Sequence, residues 1–322
     1  MKAALLFIAA GALHAEVSGV VTNATTGKPQ PGSAVTMFRI DQNGPNALDT
    51  IKAGADGSFR FTHDPQGPTL LQAVHDGVVY NKMIPPGRPS TGVAVEVYDA
   101  SANQGQAAVA THMMLLEPTG GELSVSESVI WNNPGKTSFY DAKDGAMRFY
   151  LPPAAGGKVR VSVNAPGSIP IQRGAEKTSQ PDIYKVDYAV KPGETRFDLS
   201  YSVPMQSPGK FTSRVLNKGS PVRIVAPQGV ALKGEMLSQL GTEPQTQATI
   251  YEVKGDRIEV GIEGTGALRG GAEVSNEEED GGPGLQQIRP RVYTRYREIL
   301  VLAAIALAAG FLILYRRGAL KS

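Results

Sequence analysis

The chain has no cysteine among its 322 residues. That excludes disulfides, thiolate metal sites, a cysteine nucleophile and a lipid-modified N-terminal cysteine. Histidine is scarce too: beyond the first fifteen residues only His63, His75 and His112 occur, and none stands in a His-x-x-Glu or His-Glu-x-x-His arrangement. The spacing that zinc peptidases use is therefore missing. Neither a Gly-x-Ser-x-Gly elbow nor a phosphate loop is present. A net charge of +2 offers no field to gather nucleic acid. Aromatic residues make up 7% and apolar residues 41%, low for a compact enzyme, whereas 37 glycines and 23 prolines supply many turns. Frequent turns between short strands give this balance.

Long apolar runs are equally few. One is Ala3–Ala12, preceded by Lys2 and followed by a small residue, Ala15. Residues 1–15 read as a secretory signal peptide cleaved after Ala15, although Leu13 stands where a small residue is usual. The other is Ile299–Tyr315, 17 residues without charge or proline, followed by Arg316 and Arg317. As a helix it spans about 25 Å, at the short end of what a bilayer core of about 30 Å requires. Arg289, Arg291, Arg295 and Arg297 precede it, so flanking charge does not orient it. The signal peptide does: once the body is translocated, the later run stops transfer and leaves a basic tail, 316–322, in the cytoplasm.

Between these runs the pattern has period two. Phe59 and Phe61 alternate with Ser58, Arg60 and Thr62, and Val93, Val95 and Val97 with Ala94, Glu96 and Tyr98. Turn signals at Thr26-Gly27-Lys28-Pro29, Asp56-Gly57 and Asp76-Gly77 separate the runs. About seven short strands over residues 16–106 predict a β-sandwich. Val17-Ser18-Gly19-Val20-Val21, Thr26-Gly27-Lys28-Pro29, Gly32-Ser33-Ala34-Val35, Asp56-Gly57-Ser58-Phe59-Arg60-Phe61, Leu71-Gln72-Ala73 and Asp76-Gly77 follow in an order that resembles the carboxypeptidase regulatory-like domain. That resemblance, over about a quarter of the chain, implies a seven-stranded transthyretin-like sandwich and is silent on activity, because such modules accompany many extracellular functions.

Asp144-Gly145-Ala146-Met147-Arg148-Phe149 echoes the Asp56–Phe61 segment, and Val161-Ser162-Val163 echoes Leu71-Gln72-Ala73. Either a diverged repeat or a chance likeness of hairpins explains this. In both cases residues 107–204 predict a second sandwich, transthyretin-like or immunoglobulin-like. Its alternating runs are Leu123, Val125, Val129 and Trp131; Tyr184, Val186, Tyr188 and Val190; and Phe197, Leu199, Tyr201 and Val203. Lys191-Pro192-Gly193-Glu194 reads as the turn between the last two. Residues 205–263 hold shorter strands, a small β unit or an extension of the second domain. Residues 264–290 read as a Gly-rich, acidic linker with a span of about 30 Å, and 291–298 as a basic juxtamembrane segment.

Chemistry-bearing constellations are weak. His63-Asp64 and His75-Asp76 sit beside turns and read as ordinary loop residues. Asp141, Asp144 and Gly145 lack calcium-loop spacing, and Ser124, Ser126 and Ser128 read as the solvated face of a strand. No catalytic, cofactor or metal residue is expected. Trp131, the single tryptophan, is a candidate ligand contact, although its phase with Val125 and Val129 favours the core. Tyr80 and Tyr140 are further candidates beside turns. The expectation is an all-β chain of tandem sandwiches with one C-terminal transmembrane helix. It is a non-enzymatic binding or scaffold protein on the periplasmic side of a bacterial inner membrane. Its partners are membrane lipid through the helix and an envelope protein or glycan, but no nucleic acid. A carbohydrate-binding module is the alternative, and an envelope hydrolase with a dispersed site a third reading.

Overall fold

A computed structural model describes residues 16–42, 44–62 and 67–268. The segments read as signal peptide, juxtamembrane stretch, membrane helix and tail, together with His63 and Asp64, lie outside the described residues. Within them the protein is all-β: its helical structure is one 3-10 turn, Pro153–Ala155, and no helix is long and apolar enough to cross a membrane.

The first sandwich is built from eight strands: β1 (Val17–Asn23), β2 (Lys28–Pro29), β3 (Ala34–Asp41), β4 (Gly44–Lys52), β5 (Ser58–Phe61), β6 (Thr69–His75), β7 (Val78–Ile84) and β8 (Val93–Val97). One sheet runs β2-β1-β5 with β8 parallel to β1; the other runs β4-β3-β6-β7. Period-two alternation delivers the core between them: Val35, Met37, Phe59, Phe61, Leu71, Ala73, Val95 and Val97 are buried, while Ser58 and Arg60 face solvent. Gly19 marks the closest approach, because a Cβ there would collide with the carbonyl oxygen of Val93 on β8. Pro45 is tolerated because β4 is an edge strand.

Two short strands carry the chain between the sandwiches: β9 (Ala100–Ser101) pairs in parallel with β12 (Ser138–Phe139). The second body opens with β10 (Ala108–Thr119) and β11 (Glu122–Asn133), a long hairpin turned by Gly120 and Gly121. It continues through β13 (Met147–Tyr150), β14 (Arg160–Asn164), β15 (Ile171–Arg173), β16 (Ala175–Lys177), β17 (Ile183–Val186) and β18 (Gly193–Pro204). Beyond residue 204 lie β19 (Gly209–Arg214), β20 (Val222–Ala226), β21 (Val230–Lys233), β22 (Leu237–Thr242), β23 (Thr249–Val253) and β24 (Arg257–Gly264).

These later strands share the second core. β20 pairs in parallel with β10, which extends the large sheet to β15-β14-β18-β11-β10-β20-β23-β22. Phe211, Ile224, Val230, Val253, Ile258 and Ile262 join Trp131, Leu123, Phe197 and Met147 in one apolar cluster. The sheets β13-β17-β16 and β19-β24-β21 supply further strands around it. The echo of Leu71-Gln72-Ala73 in Val161-Ser162-Val163 occupies a different setting in the two bodies: β6 lies between β3 and β7, whereas β14 lies between β15 and the later β18. The linker expected from Gly264 is still held at its start, since Gly266 N donates to Pro118 O and Leu268 N to Glu117 Oε1. Gly264 and Gly266 are there for close packing, as a Cβ on either would strike the backbone of Gly229 or Gln228.

Candidate functional site

Two places gather side chains capable of recognition: the junction between the sandwiches, and the outer face of the eight-stranded sheet.

The junction is assembled from β7, the segment following β8, β12 and residues 187–192. Ala189 of the second body inserts into the first core. Lys191, read from sequence as a turn residue, is 5% exposed. Its ammonium lies 5.2 Å from the ring centroids of both Tyr80 and Tyr188, and Arg173 stacks on Tyr188 at 5.4 Å. Cation and ring thus alternate as Arg173, Tyr188, Lys191 and Tyr80. Nζ has one long hydrogen bond, donated to the Tyr188 hydroxyl at 3.4 Å. Burial, and then repulsion from Arg173, pull the Lys191 amine down to about 8. It forms a wall shared by two clefts of about 290 and 130 Å³.

The tyrosines singled out from sequence both reach this junction. Tyr80 is buried; its hydroxyl donates to Tyr98 O at 2.8 Å and lies 2.9 Å from Ser138 Oγ, and burial pushes its pKa up to about 12. Tyr140 is half-buried and donates to Asp187 Oδ1 at 3.0 Å. Trp131 does not join them. It is 1% exposed and packs 5.9 Å from Phe139 inside the second core. Its alternation with Val125 and Val129 carries it to the buried face of β11, so it forms no sugar platform.

Beside the same junction His75, Asp76 and Asp99 converge, with one ligand-type atom from each within 4.8 Å of the others. His75 Nε2 stands 2.9 Å from Asp99 Oδ1 and 3.6 Å from Asp76 Oδ2. Asn23 Nδ2 donates to Asp99 Oδ1 at 2.6 Å, while Asn23 Oδ1 accepts from Thr25 N at 2.9 Å. Asp76 Oδ2 accepts from Ala100 N at 3.2 Å. The hydrogen bonds from His75 and then Asn23 hold the Asp99 carboxyl below its usual pKa. Sequence reading saw His75-Asp76 as a plain turn; Asp99, 24 positions on, has no local signature that would have joined it to them.

The large sheet presents the second place. Leu123, Val125, Phe197, Leu199, Met114 and Leu116 turn inward from its three 12-residue strands, β10, β11 and β18. The other face carries Ser126, Ser128, Ser200, Asp198, Arg160 and Arg196 around the apolar Met113 and Leu115, in an open depression of about 490 Å³. The serines expected to be solvated lie here, Ser126 exposed and Ser124 and Ser128 half-buried. On the buried side His112 and Glu127 pair at 2.6 Å, 3% and 6% exposed. Among the described residues, His112 Nδ1 and the Tyr201 hydroxyl, which feels the Glu127 carboxylate, have no hydrogen-bond partner.

No family model matches the chain, and no curated protein does. Among solved structures it is similar to an M1 zinc metallopeptidase from Deinococcus radiodurans, at 16% identity over 49% of this chain and 43% of that one, with a TM-score of 0.25. A mutant of that enzyme gives 17% and 0.25, and the mutant bound to a Tyr-Ser-Ala substrate 16% and 0.26. The chain spans less than half the length of these proteins. Likeness at this level carries no argument about activity.

Proposed function

We propose that the chain is a non-enzymatic, membrane-anchored binding or scaffold protein of the bacterial cell envelope, its β-sandwich body outside the cytoplasm. The anchor and the export rest on Ile299–Tyr315 and Met1–Ala15. The binding role rests on one observation: a broad eight-stranded sheet covers a core with one face and leaves the other open. Short serines keep the centre of that face low, Met113 and Leu115 give it apolar area, and Arg160 adds positive charge, while Arg196 is paired with Asp198 at 2.8 Å. A protein surface with acidic and hydroxyl groups suits it. The glycan alternative is weaker, because its principal aromatic, Trp131, is buried.

The test is site-specific photo-crosslinking in cells, with the reactive residue placed at Ser126 on the open face or at Arg60 on the first sandwich. The proposal expects one discrete adduct from Ser126, containing an envelope protein, and none from Arg60. Absence of any adduct at Ser126, or the same adduct from both positions, contradicts it.

A further inference from the structure

The geometry points to a binding site for a divalent transition-metal ion, with zinc as its archetype, formed by His75, Asp76 and Asp99 at the junction of the two sandwiches. One imidazole nitrogen and two carboxylate oxygens make a donor set suited to first-row transition metals, whereas calcium and magnesium prefer oxygen alone. Zinc binds such atoms at about 2.0–2.2 Å, which places tetrahedral neighbours about 3.3–3.6 Å apart. The observed separations from His75 Nε2 are 2.9 and 3.6 Å. All three ligand atoms lie within 4.8 Å of one another, so small rotations of the side chains bring them to that spacing around an ion, with solvent completing the coordination.

The surroundings orient the ligands as the outer groups of a metal site do. Asn23 is 3% exposed, so it lies behind the cluster and fixes Asp99 through Nδ2, its own amide locked by the Thr25 and Thr26 backbone N–H groups. Ala100 N fixes Asp76. Asp76 is itself exposed and leaves the cluster open to solvent on that side. In the metal-free state the His75 Nε2 proton is donated to Asp99. On binding, that proton moves to Nδ1 and the nitrogen lone pair goes to the metal, so no co-reactant is needed. Ala100 belongs to β9, which pairs with β12 of the second body. An ion held here therefore clamps the turn after β6 to the strand pair that joins the sandwiches.

The experiment is calorimetric titration of the full chain, purified in detergent micelles, with zinc chloride, and in parallel with calcium chloride. Asp99→Asn and His75→Gln variants are titrated alongside, with circular dichroism to verify that each is folded. The expected result is a single zinc site of micromolar or better affinity, no calcium binding, and a loss of about tenfold or more in each variant. A thermal-melt midpoint that rises with zinc in the wild type, and not in Asp99→Asn, gives a second readout. Zinc binding unchanged in both folded variants would place the ion elsewhere, for instance on the acidic Glu277–Asp280 run, and overturn the assignment. So would the absence of zinc binding, or a preference for calcium.

Discussion

Lys191→Met isolates the cost of burying one charge between the sandwiches. Methionine keeps the length and apolar stem of lysine and removes the ammonium. In the folded protein burial lowers the amine from its usual 10.5 to about 8. At about 1.4 kcal/mol per pH unit, that displacement amounts to roughly 3 kcal/mol of destabilisation when the amine is charged. The sign follows from linkage: below about pH 8 both folded and unfolded chains hold the proton, and the penalty is complete. Between about 8 and 10.5 the folded chain releases its proton first, and the penalty fades. The rings of Tyr80 and Tyr188 act in the other direction, each favouring the ammonium by about 0.5–2 kcal/mol. The net expectation is that Lys191→Met stabilises the protein by up to about 2 kcal/mol at neutral pH, and that the gain shrinks above about pH 8. Urea unfolding followed by the fluorescence of Trp131, the single tryptophan, measures this in wild type and variant at several pH values. A variant less stable than wild type at neutral pH, by an amount that does not change with pH, refutes the reasoning. The rings and the Tyr188 hydroxyl would then fully compensate the buried charge.

Two further expectations concern the second core. Glu127→Ala leaves His112 buried beside the Tyr201 hydroxyl and should cost about 3–5 kcal/mol in urea unfolding. The double replacement His112→Leu with Glu127→Leu should recover most of that loss, because a buried pair exchanged for apolar groups is often neutral. Trp131→Ala empties the space against Phe139 and should cost about 3–5 kcal/mol, again by urea unfolding, now followed by circular dichroism.

The strands were legible wherever one face is buried and the other wet. Phe59 and Phe61, Leu123 through Trp131, and Phe197 through Val203 alternate in sequence and alternate in burial. Whether the later strands form a unit of their own or extend the second sandwich was left open by the sequence. The answer depends on β20 lying parallel to β10, His112 beside Val222, and a parallel pairing over so long a separation leaves no turn signal. Lys191 misled for a related reason: Lys-Pro-Gly-Glu has the composition of an exposed turn, but the first sandwich closes over it. Val230–Lys233 has only four residues and Leu237–Thr242 is interrupted by Gly241, so neither is long enough to show a period. Gly264 and Gly266 read as flexibility because composition cannot separate a loose glycine from one required by a close neighbour. The cluster of His75, Asp76 and Asp99 was hidden because its members meet only when β6 and β8 fold into facing sheets.

The absence of cysteine makes the central claim directly measurable. Single replacements Ser126→Cys, on the open face of the large sheet, and Lys321→Cys, beyond the apolar run, each introduce the one thiol in the chain. Labelling spheroplasts with a membrane-impermeant maleimide, before and after lysis, reports the side on which each thiol lies. A body held outside the cytoplasm by Ile299–Tyr315 predicts that Ser126→Cys is labelled in intact spheroplasts and that Lys321→Cys is labelled only after lysis. If both are protected until lysis, or if both are labelled beforehand, the protein does not stand in the membrane as proposed.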